Sequence, residues 1–113
     1  MLTSAIVPAL NHLLRQANFA RQKLRAHQSK IARIEIPPFT FVFAVRENGE
    51  VAEARSEAAP DVVLTLTPPL LFRILAKDET ATRDVTIAGD GEFAADINFI
   101  AANLSYDAEE DLS

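Results

Sequence analysis

The sequence predicts an α+β fold in which a mainly antiparallel sheet is covered on one face by helices. Three observations carry this. Apolar residues recur at helical spacing at both ends of the chain. Period-two alternation runs from Phe39 to Val45 and meets an Asn48-Gly49 pair, the strongest short hairpin signal. Strands with one apolar face and a tight hairpin then favour antiparallel pairing under a helical layer. At 113 residues one domain, 1–113, is expected, with 105–113 as an acidic frayed tail.

The elements follow in order. Thr3 or Ser4 can cap a first helix, with Pro8 near its first turn, and Ile6, Leu10, Leu13, Leu14 and Ala17 form its stripe. Asn18 is placed as the cap of a second helix through His27, with Phe19, Leu24 and Ile31 as apolar contacts. Pro37-Pro38 separates a short strand, Ile34 and Ile36, from the alternating segment. A two-residue Asn48-Gly49 turn sets Val45 opposite Ala52, Phe43 opposite Ala54 and Phe41 opposite Ser56, large residues against small ones. Val62, Leu64 and Leu66 make another strand. Thr67-Pro68 opens a helix over 68–77, whose Leu70, Leu71, Phe72, Ile74 and Leu75 span about 200° of the wheel, wider than a simple surface stripe. Lys77 to Arg83 reads as a polar loop, and Val85 and Ile87 as a last strand. Asp90 can cap a final helix with Phe93, Ile97, Ile100 and Leu104 on one face and Ala95, Phe99, Ala102 and Tyr106 on another.

Composition narrows the classes. Apolar residues at 49% and charged residues at 24% suit a globular chain. With no cysteine there is neither a disulfide framework nor a thiolate, which fits the cytoplasm. Met1 to Leu10 lacks the basic residues and cleavage site of a secretory signal. The net charge of −5 is uneven: residues 1–34 carry six bases and no acid, and the remainder five bases against sixteen acids. Arg21, Lys23 and Arg25 could meet an anionic membrane or acidic proteins, or form a solvated face. The acidic remainder and the lack of interleaved aromatics argue against nucleic acid.

Catalytic constellations fail one by one. Gly89-Asp90-Gly91-Glu92-Phe93-Ala94 matches a dinucleotide-binding spacing, but no second parallel strand can follow and Glu92 would repel a phosphate. A turn with an Asp cap explains it better. His12 and His27 lie in a stretch without carboxylates, so neither is expected to have a partner that would complete a metal or acid–base site. Asp78-Glu79 reads as a hydrated loop pair. No catalytic residue, metal ligand or cofactor is therefore predicted.

What remains is surplus apolar character in the Phe41–Phe43 strand, helix 68–77 and Phe99. It can be read as dense packing of large against small residues, or as an apolar cavity for a hydrocarbon ligand.

The runs Ile31–Ile36, Phe39–Val45, Asp61–Leu66 and Val85–Asp90 follow the order seen in sterol-carrier-protein domains, and the chain resembles them over nearly its whole length. The paired N-terminal helices and Asn98-Phe99 are similar to the opening domain of the UbiJ family, accessory factors of bacterial ubiquinone biosynthesis. The resemblance implies a non-catalytic lipid-binding module holding polyprenylated ubiquinone precursors, or another long-chain lipid, for a cytoplasmic enzyme complex. It also implies a C-terminal segment joining a UbiK-type accessory factor, with no counterpart before Ser113. On this reading Phe41, Phe43, Leu64, Leu66, Leu71, Leu75, Phe93, Ile97 and Ile100 point into one cavity. Phe72 and Phe99 line its mouth or meet a second subunit. The second face of the final helix suggests a homodimer. The alternative is a structural interaction domain with a filled core and no lipid.

Overall fold

The computed structural model describes the backbone of residues 2–78 and 80–112, and the side chains of residues 3–78 and 80–103. Helices α1 (Leu2–Arg15) and α2 (Asn18–Arg25) precede strands β1 (Ile31–Ile36), β2 (Phe39–Val45), β3 (Val51–Glu53) and β4 (Val62–Thr65). Helix α3 (Pro68–Leu75), a 3-10 turn (Ala81–Asp84), strand β5 (Thr86–Gly89) and helix α4 (Gly91–Leu112) follow. The sheet order is β3-β2-β1-β4-β5. Only the β1–β4 pair is parallel. This is the mainly antiparallel α+β architecture expected.

Register places the core. Across the sheet Phe41 pairs with Ile34 and Ile34 with Leu64, while Phe43 pairs with Ala32 and Ala32 with Val62. These residues share the face that the helices cover, because alternate residues of a strand point the same way. The opposite face carries Arg33, Glu35, Thr40 and Thr65. Two caps are as expected. Thr67 Oγ1 accepts from Leu70 N at 3.3 Å, with proline at the start of α3, and Asp90 Oδ1 accepts from Phe93 N at 3.1 Å.

Several details differ from expectation. The β2–β3 turn has three residues, not two: Gly49 N donates to Arg46 O, Arg46 N donates to Glu50 O, and Gly49 takes φ +84°. A type I turn followed by a left-handed glycine gives this geometry, and it shifts the register by one. Val45 therefore faces Val51, Ala44 faces Ala52 and Phe43 faces Glu53. The small neighbour of Phe43 is Ala32 on β1, and Phe41 lies beyond the end of β3.

At the N-terminus α1 begins at Leu2, so Thr3 is inside the helix and buried rather than capping it, and Pro8 lies in the helix body. Ala17, not Asn18, occupies the cap of α2, which ends at Arg25; Asn18 Oδ1 accepts from Arg21 instead. Helix α3 stops at Leu75. Val85 is buried just before β5, whose Ile87 is exposed. The expected polar loop holds a 3-10 turn, and Asp78 is bonded to Arg73 and Thr80 rather than merely hydrated. Glu79 lies outside the described residues, as do the side chains of Leu104 and Tyr106. Among the described residues no helix is long and apolar enough to cross a membrane.

Candidate functional site

Between the sheet and the helices lie two adjoining apolar chambers. The larger, about 340 Å³, is bounded by β1, β2 and β4 below and by α1, α3 and α4 above. The smaller, about 190 Å³, lies toward α2. They share Leu10, Ile34, Phe43, Ile97 and Ala101, so one wall serves both. The Phe41 and Phe43 rings stack with centroids 6.5 Å apart along the floor.

Most of the sequence-predicted residues meet here. Phe41, Leu64, Leu66, Leu71 and Leu75 line the larger chamber, Phe93 and Ile100 the smaller, and Phe43 and Ile97 both. Phe72 and Phe99 line neither. Phe72 is 67% exposed on the outer side of α3. Phe99 turns toward α2, where it meets Phe19 edge-on at 6.1 Å and Lys23 Nζ sits 4.7 Å from its ring centre. Sequence reasoning missed the roof contributed by Ile6, Leu10 and Leu14 of α1. Their helical stripe showed that they would be buried, but not against what.

Behind Phe93, which lines the smaller chamber, lies a polar cluster. The His27 ring stacks on Phe93 at 4.8 Å, and its Nε2 lies 2.7 Å from Asp96 Oδ2. Lys30 Nζ lies 3.3 Å from Nδ1. A lysine can only donate, so Nδ1 accepts and Nε2–H donates to Asp96. Lys30 also donates to Asp90, which holds the Asp90 carboxyl below its ordinary pKa and the Lys30 ammonium above its own. The expectation that His27 has no partner fails because α4 brings Asp96 across 69 positions of sequence. Lys23 also reaches Asp96, at 3.8 Å, so it is drawn toward α4 and away from the Arg21 and Arg25 surface.

The cluster stands behind Phe93, outside the chambers. Asn98 is the single polar side chain among the described lining residues, which therefore offer no acid, base or nucleophile. No group of residues suited to a metal ion occurs among the described residues. The site can exclude water and enclose hydrocarbon.

The model of the SCP-2 sterol transfer family matches residues 10–101, a span that includes β1 to β5 and the cavity floor. The chain belongs to that family. Among solved structures, this family member is similar to a UbiJ-SCP2 ubiquinone synthesis protein, with a TM-score of 0.66 and 16% identity over 93% of this chain and 92% of that one. It is also similar to sterol carrier protein 2 from Yarrowia lipolytica, in its apo form, with a TM-score of 0.51 and 17% identity over 92% of each chain. The sterol carrier protein domain 2 of Helicoverpa armigera gives a TM-score of 0.51 and 12% identity, covering 90% of this chain and 87% of that one. At such identities the likeness is one of fold. No curated protein matches the chain.

Proposed function

We propose that this family member is a non-catalytic carrier module, working in the cytoplasm, that shelters the tail of a long-chain isoprenoid lipid. The observation that carries the reading is the pair of adjoining chambers, about 190 and 340 Å³, whose described lining is apolar apart from one asparagine. A filled-core interaction domain would leave no such space. Burial of hydrocarbon is worth roughly 25 cal/mol per Å², so a prenyl tail would be held without specific polar contacts. The ligand class we favour is a polyprenylated ubiquinone precursor, supported by the structural likeness to a protein described as acting in ubiquinone synthesis. Its ring would stay at the mouth, within reach of the enzymes that modify it. Arg21 and Arg25, one helical turn apart on α2, are the cationic side chains we assign to membrane or partner contact.

Native mass spectrometry of the purified protein, followed by lipid extraction and incubation with a prenylphenol, tests the reading. Co-purifying isoprenoid lipid or stoichiometric uptake is expected. Protein that carries no lipid and takes up none would return the chain to the filled-core reading.

A further inference from the structure

The two chambers differ in more than volume. Of the twelve described residues that line the smaller one, five also line the larger, and the other seven, Ala32 among them, are each at most 9% exposed. In the larger chamber Leu75 is 49% exposed, and Phe41 and Leu71 are half-buried. The smaller chamber is therefore the deep end, and a tail enters through the larger. The two meet at a waist drawn from four elements: Leu10 of α1, Ile34 of β1, Phe43 of β2, and Ile97 and Ala101 of α4.

Volume sets how much hydrocarbon each can take. An apolar cavity of about 150 Å³ accommodates a six-carbon ring such as benzene, and an isoprene unit has five carbons. The larger chamber, about 340 Å³, thus has room for about two units, and the smaller, about 190 Å³, for about one. The surface presented to either chamber is apolar, so selection along this path is by length and bulk.

We propose that the chambers act in series as a gauge of tail length, taking about three isoprene units with the terminal one in the smaller chamber, past the waist at Ile97 and Ala101. This rests on the carrier reading above and adds to it a tail-length selectivity. Apolar burial strengthens binding in proportion to the area removed from water, so each unit that enters adds affinity. Further units stay outside with the ring and add little. Two small residues keep the deep end open: Ala32 on the floor of the smaller chamber and Ala101 at the waist. A larger side chain at either place closes the smaller chamber to the tail.

The test measures dissociation constants of 2-geranylphenol, 2-farnesylphenol and 2-geranylgeranylphenol, which share a ring and carry two, three and four units, at concentrations where each is monomeric. For the wild type the third unit should tighten binding by at least about ten-fold and the fourth by less than about three-fold. Ala32→Ile and Ala101→Leu, on different elements, should each lose most of the third unit's gain while binding the geranyl probe within about two-fold of wild type. Isoleucine suits a strand and leucine a helix, so the fold should persist, as circular dichroism would verify. The wild-type series decides by itself should a variant unfold. A gain that continues undiminished into the fourth unit overturns the gauge, as does unchanged farnesyl binding in both folded variants. Either result leaves the carrier reading standing. Failure of all three probes to bind the wild type overturns both.

Discussion

The side-chain amide of Asn11 completes both backbone hydrogen bonds of Val51, its Nδ2 donating to the Val51 carbonyl at 2.9 Å and its Oδ1 accepting from the Val51 N–H at 2.8 Å. Val51 opens β3, an edge strand, and free edges invite pairing with other chains. Two turns earlier in α1, Thr3 Oγ1 accepts from Val42 N at 3.1 Å in the same manner. Helix α1 thus bonds backbone groups of β3 at Val51 and of β2 at Val42. Asn11→Leu should lower stability by about 2–4 kcal/mol, because two buried backbone groups lose their partners. Thr3→Val, which strands one donor, should cost about half as much. Urea titration measures both, and a change for Asn11→Leu below about 0.5 kcal/mol would mean that the edge does not need the amide.

Gly49 and Gly91 should respond oppositely to alanine. A Cβ on Gly49 would lie 2.4 Å from the Arg21 carbonyl oxygen and 2.7 Å from its Cα, and the residue has φ +84°. The left-handed conformation alone costs a side chain about 1–2 kcal/mol, and α2 would also have to move. Gly49→Ala is therefore expected to lose at least about 2 kcal/mol. At Gly91, at the start of α4, an added Cβ would meet no other part of the chain within 4 Å beyond its immediate neighbours and its own helix backbone, so Gly91→Ala should be neutral or slightly stabilising. Equal melting temperatures for the two variants would contradict the packing of the hairpin tip under α2.

These two sites show where the sequence was legible. Alternation from Phe39 to Val45 told which side chains face inward, because period two is a local property. It could not tell how many residues the turn holds. In the structure the turn takes three residues with Gly49 left-handed, and its tip packs against Arg21, a contact between segments far apart in the chain. The same limit explains His27, whose partner Asp96 no local pattern reveals. The cavity floor and the α4 wall were readable from apolar periodicity, whereas the α1 roof was readable only as a buried stripe. The Phe99 contact with Phe19 of α2 was not legible, because an aromatic off the main stripe can equally face a cavity, a subunit or a neighbouring helix.

Acid should expose the Arg73 cluster. Asp78 has its pKa lowered to about 2, first by the Thr80 hydroxyl and then by Arg73, whose guanidinium also reaches Asp84 at 3.0 Å. A carboxyl depressed in the folded state contributes stability that is fully present above its unfolded pKa and lost as pH falls toward the folded value. The window is therefore about pH 4 down to about pH 2. The groups are solvent-exposed, so the effect should be modest and weaken with salt. Asp78→Asn should melt lower than wild type at pH 7, with the gap closing at pH 2. A gap that stays constant across the window would show that the carboxylate's charge contributes nothing.

Leu64→Trp separates an open cavity from a filled core. Leu64 is 2% exposed and lines the larger chamber, while its neighbour Val62, fully buried, lines neither chamber. Adding bulk where atoms are already in contact typically costs 1–3 kcal/mol, so Val62→Phe should fall by about that much. At Leu64 the indole has about 340 Å³ of apolar space to enter, and the loss should stay below about 1 kcal/mol. The same ring occupies the path of a ligand tail, so prenylphenol uptake by Leu64→Trp should drop about ten-fold while Phe72→Ser, outside the chambers, leaves uptake unchanged. Thermal melts and uptake measured on the same preparations decide it. A Leu64→Trp protein that melts as low as Val62→Phe yet takes up lipid normally would place the ligand somewhere other than these chambers.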